Sequence, residues 1–251
     1  MKRLKFLSIP GIALVFIFSS CGGDETKTSD TSVTTDTTAT TSTVDTTTTT
    51  PTQQSTIDTM PSTTVIVWQR IGDFAKWKSA YDGHDSARLA NGVHNYIIGR
   101  SVSDSNTVLV ALKADDLTKA KAFAKDPSLK SAMQKGGVKG APSILFCTVV
   151  YVDKSTDASD LRSMSMFTVK DWNTWKTSFE GRRQLRTDNG LTDRAYGHDA
   201  DDDHKVVVVG AIGDSTKAAA YWNSDLLKQK REESGVVGEV KRYVYRVVQK
   251  Y

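Results

Sequence analysis

The sequence predicts an α+β protein made of two tandem βαββαβ repeats whose sheets close on each other within one chain. Three observations predict it. First, Phe74-Ala-Lys-Trp-Lys-Ser-Ala-Tyr-Asp-Gly83 returns as Trp172-Asn-Thr-Trp-Lys-Thr-Ser-Phe-Glu-Gly181, an offset of 98 residues (175 − 77). The same offset carries Arg88 onto Arg186, Asn91-Gly92 onto Asn189-Gly190, Gly99 onto Gly197, Asp116 onto Asp214 and Gly137-Val138 onto Gly235-Val236. No gap is needed, and roughly 22 of about 77 aligned positions are identical. Second, apolar periodicity in each copy switches between the strand and helix periods in the order strand, helix, strand, strand, helix, strand. Third, both faces of several strands are apolar: Val65 and Val67 oppose Ile66 and Trp68, and Ile144 and Phe146 oppose Leu145, Cys147 and Val149. Helices cover one face of such a sheet, so the other face needs a second cover. The partner repeat supplies it, and the chain is therefore expected to be monomeric.

The elements follow in order. Residues 1–20 read as an export leader, with Lys2, Arg3 and Lys5 ahead of an apolar stretch from Phe6 to Phe18. That stretch is shorter than the roughly 20 apolar residues a membrane-spanning helix needs. Residues 21–63 hold Cys21 and a Thr/Ser/Asp-rich stalk, which buries too little apolar surface to offset its ordering entropy.

The first repeat occupies residues 64–152. Thr64 to Arg70 is β-branched and aromatic, as strands prefer. Asp73 caps a helix running to about Ala90, and Asn91-Gly92 stops it. Val93 to Val102 and Thr107 to Lys113 are strands around a polar turn. A helical stretch from Asp115 to about Lys135 breaks near Asp126-Pro127, and Ser143 to Val152 is the closing strand. Residues 153–161 are a polar linker, and the second repeat, residues 162–251, takes strand 162–169, helix 171–188, strands 191–198 and 205–212, helix 214–234 and strand 238–249.

Two resemblances add to this reading. Ser19-Ser20-Cys21 resembles the lipobox of bacterial lipoproteins, in which the cysteine is acylated and anchors the mature chain to a membrane. Asp24, Glu25 and the Asp36-Thr-Thr, Asp45-Thr-Thr and Asp58-Thr-Met segments resemble surface-exported, O-glycosylated Bacteroidota lipoproteins; an ordinary leader and a plain solvated linker are the simpler alternatives. The Trp77-Lys78-x-x-Tyr81-Asp82-Gly83 and Trp175-Lys176-x-x-Phe179-Glu180-Gly181 helices, the Asn-Gly stops and the Leu129-Lys130 to Gly137-Val138 segment are similar to the dimeric α+β barrel superfamily. This ferredoxin-like group includes antibiotic-biosynthesis-monooxygenase-like proteins. The resemblance implies an intramolecular barrel over residues 64–251; for function it implies only a range, from cofactor-independent oxygenases to haem-binding enzymes.

The residues exclude more chemistry than they assign. There is no nucleotide-binding glycine loop, CxxC pair or nucleophile elbow. Cys147 lies in an apolar run and reads as a buried, inert thiol. His198 and His204 flank Asp199-Ala-Asp-Asp-Asp203, but position six from Asp199 is His204 and position twelve is Gly210, not the Gly and Glu of a calcium loop. No metal and no cofactor is expected. The net charge of +4, less +3 on the leader and −5 on the stalk, leaves +6 on the two repeats, scattered along the helices as on an ordinary solvated surface, and an exported protein would rarely meet nucleic acid. His84, whose counterpart is Arg182, reads as polar and exposed.

The ligand-pocket candidates are Trp68, His94, Tyr96 and Arg100; catalytic residues are not assigned. The exchanges His84/Arg182, His94/Thr192, Tyr96/Arg194 and Arg100/His198 restrict any active pocket to one copy. The leading expectation is an envelope lipoprotein, at the outer membrane or cell surface, whose barrel binds a small apolar ligand or a partner. The alternative is a cofactor-independent monooxygenase-like enzyme with one active pocket.

Overall fold

The computed structural model describes residues 56–156 and 158–251. The leader, Cys21 and the stalk as far as residue 55 lie outside the described residues. Within them, β1 (Ile57–Asp58) precedes the first repeat, which contains β2 (Ser62–Ile71), α1 (Phe74–Asp82), α2 (Asp85–Ala90), β3 (Val93–Ser101), β4 (Thr107–Ala114), α3 (Leu117–Phe123), α4 (Pro127–Lys135) and β5 (Val138–Asp153). The second contains β6 (Leu161–Val169), α5 (Trp172–Gly181), α6 (Arg183–Asp188), β7 (Leu191–Asp199), β8 (Lys205–Ile212), α7 (Ser215–Trp222), α8 (Asp225–Glu233) and β9 (Val236–Lys250).

Aspartates start the helices at matched positions. Asp73 and Asp171 accept from the backbone N–H of Lys76 and Thr174, each at 2.7 Å, and Asp116 and Asp214 do the same for α3 and α7. The helices predicted over 73–90 and 171–188 are each broken in two. The chain leaves helical geometry at His84 (φ −101°, ψ 12°) and at Arg182 (φ −106°, ψ 22°), just after Gly83 and Gly181. Glycine raises the cost of continuing a helix, and the break sets a new helix start beside the sheet.

Each repeat is a four-stranded antiparallel sheet, ordered β5-β2-β4-β3 in the first and β9-β6-β8-β7 in the second. Pairing of β3 with β9 and of β5 with β7 joins them into a closed eight-stranded barrel. The two seams keep the repeat's register: Gly99 faces Val247 on one, and Gly197 faces Val149 on the other. Close approach across the seam explains both glycines, by a side chain at Gly99 and by backbone at Gly197. A Cβ on Gly99 would run into the Tyr245 ring, and one on Gly197 into Thr148 O and Val149 Cα.

Alternation then sorts the side chains. Val65, Val67, Val108 and Val110 face the helices of the first repeat around Trp77, while Ile66, Leu109, Val149, Met164, Val207 and Tyr245 fill the barrel. Trp175, Phe179 and Tyr196 form the matching helix-side core of the second repeat. The expectation that each sheet's second face is covered by the other copy holds strand by strand.

One boundary differs from the sequence reading. The stalk was predicted to run through residue 63, yet Ile57–Asp58 pairs with Val152–Asp153, and Ser62 opposite Val149 opens β2. Pairing of β5 with β2 ends at Val149, β1 takes the next places along the same edge, and the Lys154 N–H donates to Thr56 O at 2.7 Å. No described helix is long and apolar enough to cross a membrane.

Candidate functional site

Three cavities follow from this architecture: one between sheet and helices in each repeat, and one inside the barrel. The helix–sheet cavity of the first repeat measures about 70 Å³ and is lined by Val67, Gln69, Trp77, Tyr81, His84, Arg88 and Phe123 among others. Most of its wall is apolar. Its polar groups are unusual in lacking partners: Gln69 Oε1, both ring nitrogens of His84, and Arg88 Nε are buried without a hydrogen bond. Unpaired polar atoms are costly to bury, and here a cluster of them faces one cavity.

The local sequence explains the cluster. Trp77, Tyr81, His84 and Arg88 recur at helical spacing on the sheet-facing side of α1 and α2, and Gln69 continues the Val65–Val67 face of β2. His84 stacks on Phe123, with ring centroids 5.9 Å apart. Burial, and then the nearby Arg88 charge, hold its pKa below the ordinary value, so the ring is neutral at pH 7. A closed network fixes the rest. Tyr81 Oη donates to Asn95 Oδ1 at 2.5 Å, Asn95 Nδ2 to Asp85 Oδ1 at 2.6 Å, and Arg88 Nη2 to the same oxygen at 3.0 Å. The Arg88 guanidinium lies 3.8 Å over the Tyr81 ring. Burial pushes the Tyr81 hydroxyl well above the usual phenol range, so it stays protonated and can donate. The expectation that His84 is an exposed polar residue is thus corrected; the 77, 81, 84, 88 stripe was the signal.

In the second repeat the same positions are closed. Phe167 replaces Gln69, and Arg182 donates to Lys230 O at 2.7 Å. Arg186 makes a two-pronged pair with Asp193, at 2.7 and 2.6 Å, and a third bond to Phe179 O. Its cavity, about 100 Å³, has no orphaned polar atom among the described residues.

The barrel cavity is larger, about 340 Å³. Matched β-bulges shape it: register shifts between Asn95 and Ile97 and between Asp193 and Ala195 bring Tyr96 and Arg194, which are equivalent in the repeat, onto its wall. Of the sequence candidates, Tyr96 is the one that lines it, with Lys113 Nζ 5.0 Å over its ring. Trp68 points into the barrel but packs on Tyr243 (centroids 4.9 Å apart), away from the open space. His94 is on the surface, its Nε2 2.9 Å from Asp115 Oδ2, with 44% of the side chain exposed. Arg100 donates to Ser105 O at 2.9 and 2.7 Å and lies over the Phe74 ring. The four candidates do not form one pocket.

The acid-rich turn places ligand-type atoms of Asp202, Asp203 and His204 within 4.8 Å of one another. They are already engaged: His204 Nδ1 lies 3.1 Å from Asp203, and Lys205 Nζ 2.9 Å from Asp202. Cys147 is fully buried, and burial pushes its thiol up to about 12, far from thiolate reactivity.

This architecture defines the dimeric α+β barrel class, with both ferredoxin-like halves in one chain. No protein-family model matches the sequence, and no curated protein matches it. Solved structures do. An anthrone oxidase-like protein superposes with a TM-score of 0.53 at 12% identity, over 78% of this chain and 95% of that one. A monooxygenase-like protein from Listeria innocua (TM-score 0.43, 10% identity, 76% and 96% coverage) and a haem-binding protein from Thermus thermophilus (0.45, 13%, 77% and 94%) are further neighbours. The likeness to the first establishes the fold. His94 is not placed to hold haem: it is turned to Asp115 on the surface and lines neither the helix–sheet cavity nor the barrel cavity.

Proposed function

We propose that the chain is a cofactor-independent monooxygenase-like enzyme with one active pocket, the helix–sheet cavity of the first repeat. The observation that carries this reading is the convergence of unpartnered Gln69, His84 and Arg88 atoms there, against filled or paired equivalents in the second repeat. The substrate class is a small apolar molecule with an acidic C–H or phenolic O–H next to a conjugated ring. Neutral His84 takes the proton, Arg88 Nε steadies the resulting anion, and Gln69 Oε1 accepts from a substrate hydroxyl. The anion adds to dioxygen, the co-substrate; loss of water from the hydroperoxide leaves one oxygen as a new carbonyl, and no external reductant is consumed.

Access runs past α4. A surface groove shares Ala124, Leu129, Met133 and Ile144 with the cavity, and α4 has no fully buried residue, so Leu129 and Met133 are positioned to yield to a ring-sized substrate. The test is oxygen uptake by the full chain with anthrone as probe. His84→Ala should lose at least about 100-fold of the rate, as removal of a general base does, and Arg182→Ala little. Absence of uptake by the wild type, or full activity of H84A, would sink the assignment.

Envelope display belongs to the same proposal and rests on the sequence around Cys21. A palmitate analogue fed to expressing cells should label the wild type and not Cys21→Ser; equal labelling would end that part of the reading.

A further inference from the structure

Five cations line the barrel cavity, and three of them have a carboxylate of their own. Lys154 pairs with Asp58 at 2.9 Å, Arg194 with Asp153 at 2.9 Å and Lys250 with Asp160 at 2.8 Å. Lys113 and Arg162 make no ion-pair contact; Asp58 and Asp160, which act on them through space, are held by Lys154 and Lys250. Lys113 Nζ donates only to the hydroxyls of Thr64 (3.0 Å) and Ser62 (3.4 Å). Arg162 is 3% exposed, and its Nη1 is buried without a hydrogen-bond partner. No Asp or Glu is among the described residues on the cavity wall. Burial of an arginine with no anion in direct contact is a costly arrangement that a bound negative group would complete. Burial, and then repulsion from Arg194, push the Arg162 pKa down; burial does the same at Lys113.

The fold does not require these charges. Through the repeat, Arg162 stands where the first copy has Thr64, Arg194 where it has Tyr96, and Lys113 where the second has Ala211. Much of the remaining wall is aliphatic, chiefly Ile66, Leu109, Val149, Met164, Val207 and Val209, with Thr64, four tyrosines and the linker residues Lys154, Ser155 and Thr156 beside them. A volume of about 340 Å³ falls within the range of small-molecule sites, about 300–1,000 Å³.

We propose that the barrel interior is a second ligand site, for an apolar molecule ending in a carboxylate, with the carboxylate at Arg162 and the body along the aliphatic wall. It shares no lining residue with the helix–sheet cavity and stands whether or not that cavity is catalytic.

The test is isothermal titration of the full chain with sodium decanoate, decanol and decyltrimethylammonium. Decanoate should bind at least about tenfold more tightly than decanol, and the cationic amphiphile should not bind. Arg162→Met should weaken decanoate at least about tenfold while leaving decanol binding in place, and Lys113→Met should act in the same direction. Without ligand, R162M should melt higher than the wild type, because an uncompensated buried charge is gone; decanoate should raise the melting temperature of the wild type and not of R162M. Equal affinity for decanoate and decanol, absence of decanoate binding, or wild-type decanoate affinity in R162M would overturn the proposal. Should R162M not fold, K113M decides the same comparison.

Discussion

Gly197→Ala tests how the barrel closes. A methyl group at Gly197 would meet Thr148 O, Val149 Cα at 2.7 Å and Thr148 C at 2.9 Å, all backbone atoms of the paired strand β5. At the equivalent Gly99 the obstacle is the Tyr245 ring, which borders the barrel cavity and has space to turn into. Overpacking costs typically about 1–3 kcal/mol where side chains can move, and more where strands must separate. The alanine recovers only about 0.4–1 kcal/mol through the unfolded chain. G197A should therefore lose about 2–4 kcal/mol and G99A about 1 kcal/mol. At roughly 2–4 °C per kcal/mol for a domain of this size, that is a fall of about 4–16 °C for G197A. Thermal unfolding reads the difference, and hydrogen exchange should show β5 and β7 losing protection first. If G197A melts with the wild type, or if G99A is the worse of the two, seam closure by backbone contact is not what Gly197 is for.

Other consequences are as direct. Asp193→Asn removes one partner of a pair whose side chains are 4% and 10% exposed, and should cost about 3–5 kcal/mol in chemical denaturation. Because burial holds the folded His84 pKa below its unfolded value of 6.5, the unfolded chain binds the extra proton as pH falls; stability should drop below about pH 6.5, and His84→Gln should flatten that slope in melting curves taken from pH 7.5 to 5. Cys147 should resist iodoacetamide at pH 8 in the native protein and react only on unfolding. Light scattering at micromolar concentration should give a monomer mass, since the seams of the barrel are filled from within.

Much of the architecture was legible because it is written in local chemistry. The gapless repeat, the Asp caps and the two-sided apolar strands each follow from backbone geometry and alternation, and together they require a second cover for each sheet. Even the seam glycines were visible as a matched pair, although nothing near them in sequence said which strand approached. The sites were less legible. Tyr96 reaches the barrel wall because a bulge skips one residue after Asn95, and alternation alone would not place it there. The charged arginine at its counterpart position makes His84 read as exposed from the sequence; in the fold both residues line cavities, and only the packing of Phe123 and the sheet removes water from the histidine.

What the sequence by itself determined, then, is the repeat, the order of elements and the need for a barrel, since these depend on the periods of strand and helix. Which polar groups are left without partners was decided only in the tertiary structure. Arg88 and Arg186 are the same residue in the repeat, yet one keeps an orphaned Nε while the other is closed by Asp193; Arg162 and Arg194 are neighbours in one cavity, yet only Arg194 has a carboxylate. Pairing of charges depends on contacts between strands and helices distant in sequence, and burial sets how much each unpaired group costs.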